Sequence, residues 1–87
     1  HKSALKRDKQ SKARRLRNRV NKTQMKGAVN KVDEAIAAGS EQQVREALQQ
    51  AASIIQKTAA KGTIHKRTAA RKVSRLAKRV NRMQPLA

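Results

Sequence analysis

The chain has no cysteine and no phenylalanine, tyrosine or tryptophan, and its 87 residues include only one proline and three glycines. Without cysteine there is no disulfide scaffold, no thiolate zinc site and no cysteine nucleophile. Such usage fits a reducing compartment. Without aromatics, a core can be built only from Ala, Val, Leu, Ile and Met, so it must be thin and close-packed. The same lack argues against single-strand binders that work by stacking, such as RRM or OB modules. Long apolar runs are missing as well. Stretches such as Ala35-Ile36-Ala37-Ala38 fall far short of the ~20 residues that span a bilayer. No signal-peptide apolar core lies near the N-terminus, which is the most charged region of all. Because the chain begins at His1 and not at Met, a short missing leader is expected.

Acid is scarce too. Five Asp+Glu face 23 Lys+Arg, for a formal net charge of +18, and hydrophobic residues make up 37%. One small domain is expected, soluble and intensely basic. Small domains bury a modest share of their surface, and self-repulsion weakens the compact state further. Marginal stability therefore follows until a polyanion binds.

The charge is not spread evenly. Residues 1–26 carry 11 Lys or Arg and a single acid, Asp8; residues 57–87 carry 10 and no acid. Between them, Lys31 and Arg45 are outnumbered by Asp33, Glu34, Glu41 and Glu46. Both ends seek a polyanion and the middle does not.

Gly39-Ser40 and Gly62-Thr63 read as helix ends followed by helix starts, since Gly suits the left-handed C′ position and Ser or Thr the N-cap. Ser40-Glu41-Gln42-Gln43 matches a capping box, and Pro85 cannot continue a helix. Ala, Leu, Lys, Arg, Gln and Glu fill most of the remainder, and all form helices readily. The reading is all-α, with helices at roughly 3–38, 41–61 and 64–84. Ala69, Val73, Leu76, Val80 and Met83 form one seam at helical spacing. Val44, Ala47, Leu48, Ala51, Ala52, Ile55 and Ala59 form a second, and Met25, Ala28, Val29, Val32, Ala35 and Ile36 a third. Three stripes joined by short loops predict an up-down-up three-helix bundle.

The front of the first helix behaves differently. At about 100° per residue its basic side chains cover the whole circumference. Leu5, Leu16 and Val20 share a side, but Lys2 and Lys9 point the same way, so there is no dry face. Gly27 sits near the change of character, as a bend or as a helical glycine costing about 1 kcal/mol relative to Ala. A continuous helix of this length extends about 54 Å. The expected organisation is one domain over 1–87, with a basic arm at 1–26 that projects from a bundle at 27–87 and frays when unbound.

Nothing here resembles an active site. His1 and His65 are the only candidates for a base near neutral pH, and His1 is terminal. Asp33 and Glu34 are adjacent and diverge on a helix. Glu41 and Glu46 flank the start of the second helix, where acids favour the dipole. No Gly-rich phosphate loop, metal-ligand cluster or nucleophile motif occurs. The chain is read as no enzyme, with no cofactor, no metal and no small-molecule substrate. His65, in Gly62-Thr63-Ile64-His65-Lys66, is either a solvated first-turn residue or a contact to phosphate or a base edge, since helix N-termini bind phosphate.

Cations carry the main signal. On the third helix Arg67, Arg71, Lys72, Arg75, Lys78, Arg79 and Arg82 fall on one arc of about 140° opposite the apolar seam. No acid interrupts them, and such density costs repulsion while giving an isolated fold nothing. Nucleic acid is the partner to which this points, and the preference for Arg suits bidentate phosphate clamping. On the first helix Lys6, Arg7, Lys9, Lys12, Arg14, Arg15, Arg17, Arg19, Lys22 and Lys26 point in all directions. A duplex in one groove would neutralise one side only. Charge all round suits a helix surrounded by phosphates of several strands, as in a large folded RNA, with Asn18 and Asn21 adding reach to sugars or bases. The plainer reading is a disordered basic tail.

Two stretches resemble a known family. Lys2-Ser3-Ala4-Leu5-Lys6-Arg7 is similar to its opening. Ala59-Ala60-Lys61-Gly62-Thr63-Ile64-His65-Lys66 with Ala69-Ala70-Arg71-Lys72-Val73-Ser74-Arg75-Leu76-Ala77-Lys78-Arg79-Val80-Asn81 closely resembles its C-terminal signature. The family is the bacterial-type small-subunit ribosomal protein numbered twenty in its series, found also in plastids, and the resemblance covers essentially the whole chain. It implies a three-helix bundle whose long N-terminal helix penetrates small-subunit (16S) rRNA. It further implies an early assembly protein bound to the 5′ domain and the 3′ minor domain, with few protein neighbours and no membrane. The implied RNA contacts are Lys2, Ser3, Lys6, Arg7 and the later arm residues, then His65, Lys66, Arg71, Lys72, Ser74, Arg75, Lys78 and Arg79. The implied location is the ribosome, in bacterial cytoplasm or plastid stroma. His1 and Val73 depart from the common pattern, and Arg82-Met83-Gln84-Pro85 is a variable tail.

Two rivals share the charge. A nucleoid or linker-histone-like protein would compact duplex DNA. A cationic membrane-active bundle is weakened by the lack of aromatic anchors and of a clean apolar face on the front helix.

Overall fold

A computed structural model describes residues 2–82. It consists of α1 (Lys2–Ala38), α2 (Glu41–Ala60) and α3 (Lys66–Arg82), with no strand among the described residues. The expected stop at Pro85 and the seam position of Met83 lie outside the described residues.

The two connections follow from glycine. Gly39 (φ +77°) ends α1, and its N–H donates to the carbonyls of Ala35 and Ile36, each at 3.1 Å. Ser40 then caps α2 from an extended backbone: its Oγ accepts from the Gln43 N–H at 3.4 Å and its carbonyl from the Val44 N–H at 3.0 Å. The serine half of the expected capping box is formed. Gly62 (φ +80°) ends α2 in a Schellman motif, with Gly62 N–H donating to Ala59 O at 2.9 Å and Thr63 N–H to Thr58 O at 3.2 Å.

This turn corrects the expected start of α3. Thr63 is not its N-cap. The Thr63 N–H completes the Schellman turn, and His65 caps instead. Its Nδ1 accepts from the Arg67 N–H at 3.1 Å, and its carbonyl accepts from the Ala69 N–H at 3.0 Å.

α2 is the middle element. It packs against α1 on one side and α3 on the other, while α1 and α3 scarcely touch. The core takes Met25, Ala28 and Val32 from α1, Val44, Ala51 and Ile55 from α2, and Ala69, Leu76 and Val80 from α3. Ile55, Val32 and Val44 are the largest fully enclosed side chains, so the core is as thin as the lack of aromatics requires. Thr58 is the one buried polar residue among those described, and its Oγ1 donates to Ile54 O at 2.7 Å, which removes the cost of burying the hydroxyl. Ile54 and Ile64 pack against the core edge although neither lies on an expected stripe.

α1 runs unbroken through Gly27 for 37 residues. Its front half has no apolar side, and nothing before Met25 is buried. The molecule is 65 × 22 × 13 Å with a radius of gyration of 16.9 Å, where a compact chain of this length would have about 12 Å. The excess is the projecting front of α1. No helix among the described residues is long and apolar enough to cross a membrane.

Candidate nucleic-acid interface

Two basic surfaces leave the core by different routes. On α3, burial of Ala69, Leu76 and Val80 against α2 orients the rest of the helix. Arg67, Arg71, Arg75, Lys78 and Arg79 are exposed on the outside, together with Lys66, Ser74 and His65, while Lys72 lies half-buried on the flank. On α1, no packing orients anything before the middle of the helix. Lys2, Ser3, Lys6, Arg7, Lys9, Lys12, Arg14, Arg15, Arg17 and Lys22 are all exposed, and consecutive positions at about 100° place them around the whole rod. Leu5 and Leu16 remain 65% and 61% exposed.

Several of these side chains have partners within the molecule. Arg79 Nη1 donates to Asp33 Oδ1 at 2.6 Å and so ties α3 to α1. Both side chains are about half exposed, so solvent screening limits the pair to about 0.5 kcal/mol. Lys12 pairs with Asp8 at 3.2 Å and Arg45 with Glu41 at 2.8 Å, each across one helical turn. His65 spends Nδ1 and its carbonyl on the start of α3. One first-turn amide of α3, that of Arg67, is thereby already satisfied.

Asn18 and Asn21 are the half-buried exceptions on the front of α1. Asn21 Nδ2 donates to Thr63 Oγ1 at 3.0 Å, and Thr63 Oγ1 donates to Asn18 Oδ1 at 3.1 Å. This three-residue relay joins α1 to the α2–α3 turn and begins the packed part of α1 ahead of the first buried side chain, Met25. Beside it, Arg14, Arg17, Asn18, Asn21, Lys61 and Gly62 line one cleft. Sequence reasoning did not find Thr63 or Lys61 in this setting. A signal was present: positions 14, 17, 18 and 21 share one helical face, and two asparagines stand there on an otherwise cationic rod.

What the arrangement can do is bind polyanions from two directions through an oriented face and an encircling rod, held in fixed relation by α2. The match of residues 1–81 to the family model for Ribosomal protein S20 spans the rod, the core and the face. The chain belongs to the ribosomal protein S20 family. Curated S20 relatives are similar over nearly their full lengths. The small ribosomal subunit protein bS20 of Desulfotalea psychrophila is 58% identical over 81 residues, which cover 93% of this chain and 91% of the relative. That of Syntrophobacter fumaroxidans is 54% identical over 81 residues, 93% and 94% of the two chains. That of Desulfatibacillum aliphaticivorans is 51% identical over 80 residues, 92% and 91%. The S20 match takes in every basic residue discussed except Arg82.

Proposed function

We propose that this protein is a structural constituent of the small ribosomal subunit that binds 16S rRNA directly and stabilises its folding during early assembly. The observation that carries the reading is a whole-length S20 match on a chain whose cations cover a projecting rod and one face of α3. The mechanism is electrostatic. Lys and Arg neutralise converging phosphates and lower the cost of bringing RNA helices together, and the displaced counterions make affinity fall steeply with salt. Specificity comes from RNA shape, because A-form grooves hide most base edges.

The finer assignments belong to the same reading. The rod of α1, including Lys2, Lys6, Arg7, Lys9, Lys12, Arg14, Arg15, Arg17 and Lys22, enters between strands of the RNA. The α3 face of Lys66, Arg67, Arg71, Lys72, Ser74, Arg75, Lys78 and Arg79 lies against a second segment, with the 5′ and 3′ minor domains as the two targets. Protein neighbours are few and the role is not catalytic. The relatives named above are bacterial, so the setting is the ribosome of a bacterial cytoplasm.

The test is binding to small-subunit rRNA and to random duplex DNA, each titrated with salt. A preference for rRNA that survives moderate salt is expected. Equal affinities that collapse together would return the protein to the class of non-specific DNA compactors.

A further inference from the structure

We infer that the cleft between α1 and the α2–α3 turn is a preformed seat for a single backbone phosphate of the bound RNA, held open by the Asn18–Thr63–Asn21 relay. The inference rests on the RNA-binding reading above and locates one contact within it. Three cations of two different elements, Arg14 and Arg17 of α1 and Lys61 at the end of α2, line the same cleft, and no acid does. Three like charges around one hollow repel each other unless an anion lies between them. The neighbouring hollow, lined by Arg15, Asn18, Arg19, Lys22, Thr23 and Lys26, is made by α1 alone and has no cation from a second element.

Three features make the first cleft rigid where the rest of the rod is not. The relay fixes α1 to the turn through bonds of 3.0 and 3.1 Å. The Schellman bonds of the Gly62 and Thr63 N–H groups fix the turn itself, and the Lys61 N–H donates to Lys57 O at 3.0 Å, which holds the Lys61 backbone at the end of α2. Gly62, at φ +80°, has open space where a Cβ would stand, so phosphate oxygens can approach the backbone. The relay engages Asn18 only through Oδ1, so it leaves both Nδ2 hydrogens as donors. Thr63 is therefore a positioning residue: it sets the spacing of the three cations and touches no RNA itself.

The experiment is a salt titration of rRNA and random-duplex binding for the full chain, for Arg17→Gln, Lys61→Gln and their double variant, and for Thr63→Val and Thr63→Ser. Lys9→Gln, on the unpacked rod, is the reference. Each single cleft substitution is expected to weaken rRNA binding about tenfold and to reduce the salt slope by about 1. The double variant loses little more slope than either single, because both cations serve one phosphate. Thr63→Val weakens binding severalfold with the slope unchanged, and Thr63→Ser restores it, while circular dichroism checks that both remain helical. Wild-type affinity in both single variants, or independent losses adding as Lys9→Gln adds to either, would overturn the shared seat. If the unsubstituted protein shows no preference for rRNA over duplex, the RNA-binding reading fails first. If that preference stands and the cleft variants behave like Lys9→Gln, only the seat is wrong.

Discussion

The front of α1 and the whole of α3 are both basic helices of good helix-forming residues, yet only α3 has a side. In α3 the apolar residues recur every three or four positions and pack on α2, so its cations are sorted onto the opposite arc. In the front of α1, Leu5, Leu16 and Val20 are too few and too mixed with cations to bury anything, and they stay exposed. Charge placement on a helix is thus set by what the helix must bury. A helix with a core-facing stripe presents a directional basic face, and one without a stripe presents charge all round. The first suits a surface laid against RNA, the second a rod enclosed by it.

The largest test of that contrast is truncation of the same residue type on each helix. Leu76→Ala, in the core, is expected to cost about 2–5 kcal/mol, enough to unfold much of a domain whose total stability is of order 5–15 kcal/mol. Leu16→Ala should stay within about 0.5 kcal/mol. Thermal or urea unfolding of the two variants decides the matter, and comparable losses would mean that the rod is packed after all.

Amide exchange in the RNA-free protein sharpens the comparison residue by residue. Amides of α1 before Asn18 should exchange close to the unprotected rate, because isolated helical turns are marginal and no tertiary contact supports them. Amides near Val32, Ile55 and Leu76 should exchange only through global unfolding. Equal protection along α1 would contradict an unsupported rod.

Smaller effects come from the glycines on either side of the boundary. Gly62→Ala forces a Cβ into the left-handed region and should destabilise by about 1–2 kcal/mol, although the space for it is free. Gly27→Ala meets no atom either, and in a regular helix it should stabilise by roughly 0.5–1 kcal/mol. Opposite signs of melting-temperature shift are the expected result.

The smallest effect separates a basic residue that belongs to the fold from one that does not. Arg79→Ala loses the Asp33 pair and should cost about 0.5 kcal/mol, less at high salt. Lys9→Ala should cost nothing measurable. A double-mutant cycle with Asp33→Asn reads the pair directly.

Much of this was legible before any coordinates. The three stripes contain all nine buried apolar residues among those described, from Met25 to Val80, because a helical repeat writes its buried side into the spacing of Leu, Ile, Val and Ala. Gly39-Ser40 marked its turn because a left-handed glycine followed by a capping serine is a local arrangement. Gly62-Thr63 had the same local signature and a different outcome. There the Schellman turn carried Thr63 over α1, so its hydroxyl met Asn18 and Asn21, more than 40 positions away in the chain, and His65 took the cap.

The sequence alone determined the helical class, the thin aliphatic core, the segregation of charge and the lack of any side to the rod, since composition and period are properties of neighbours in the chain. Only the tertiary structure decided that α2 stands between the other two helices, that Arg79 answers to Asp33, and that two asparagines on a cationic rod hold the turn opposite them. Those pairings join residues whose separation has no period, and they exist only once the helices have chosen which faces to bury.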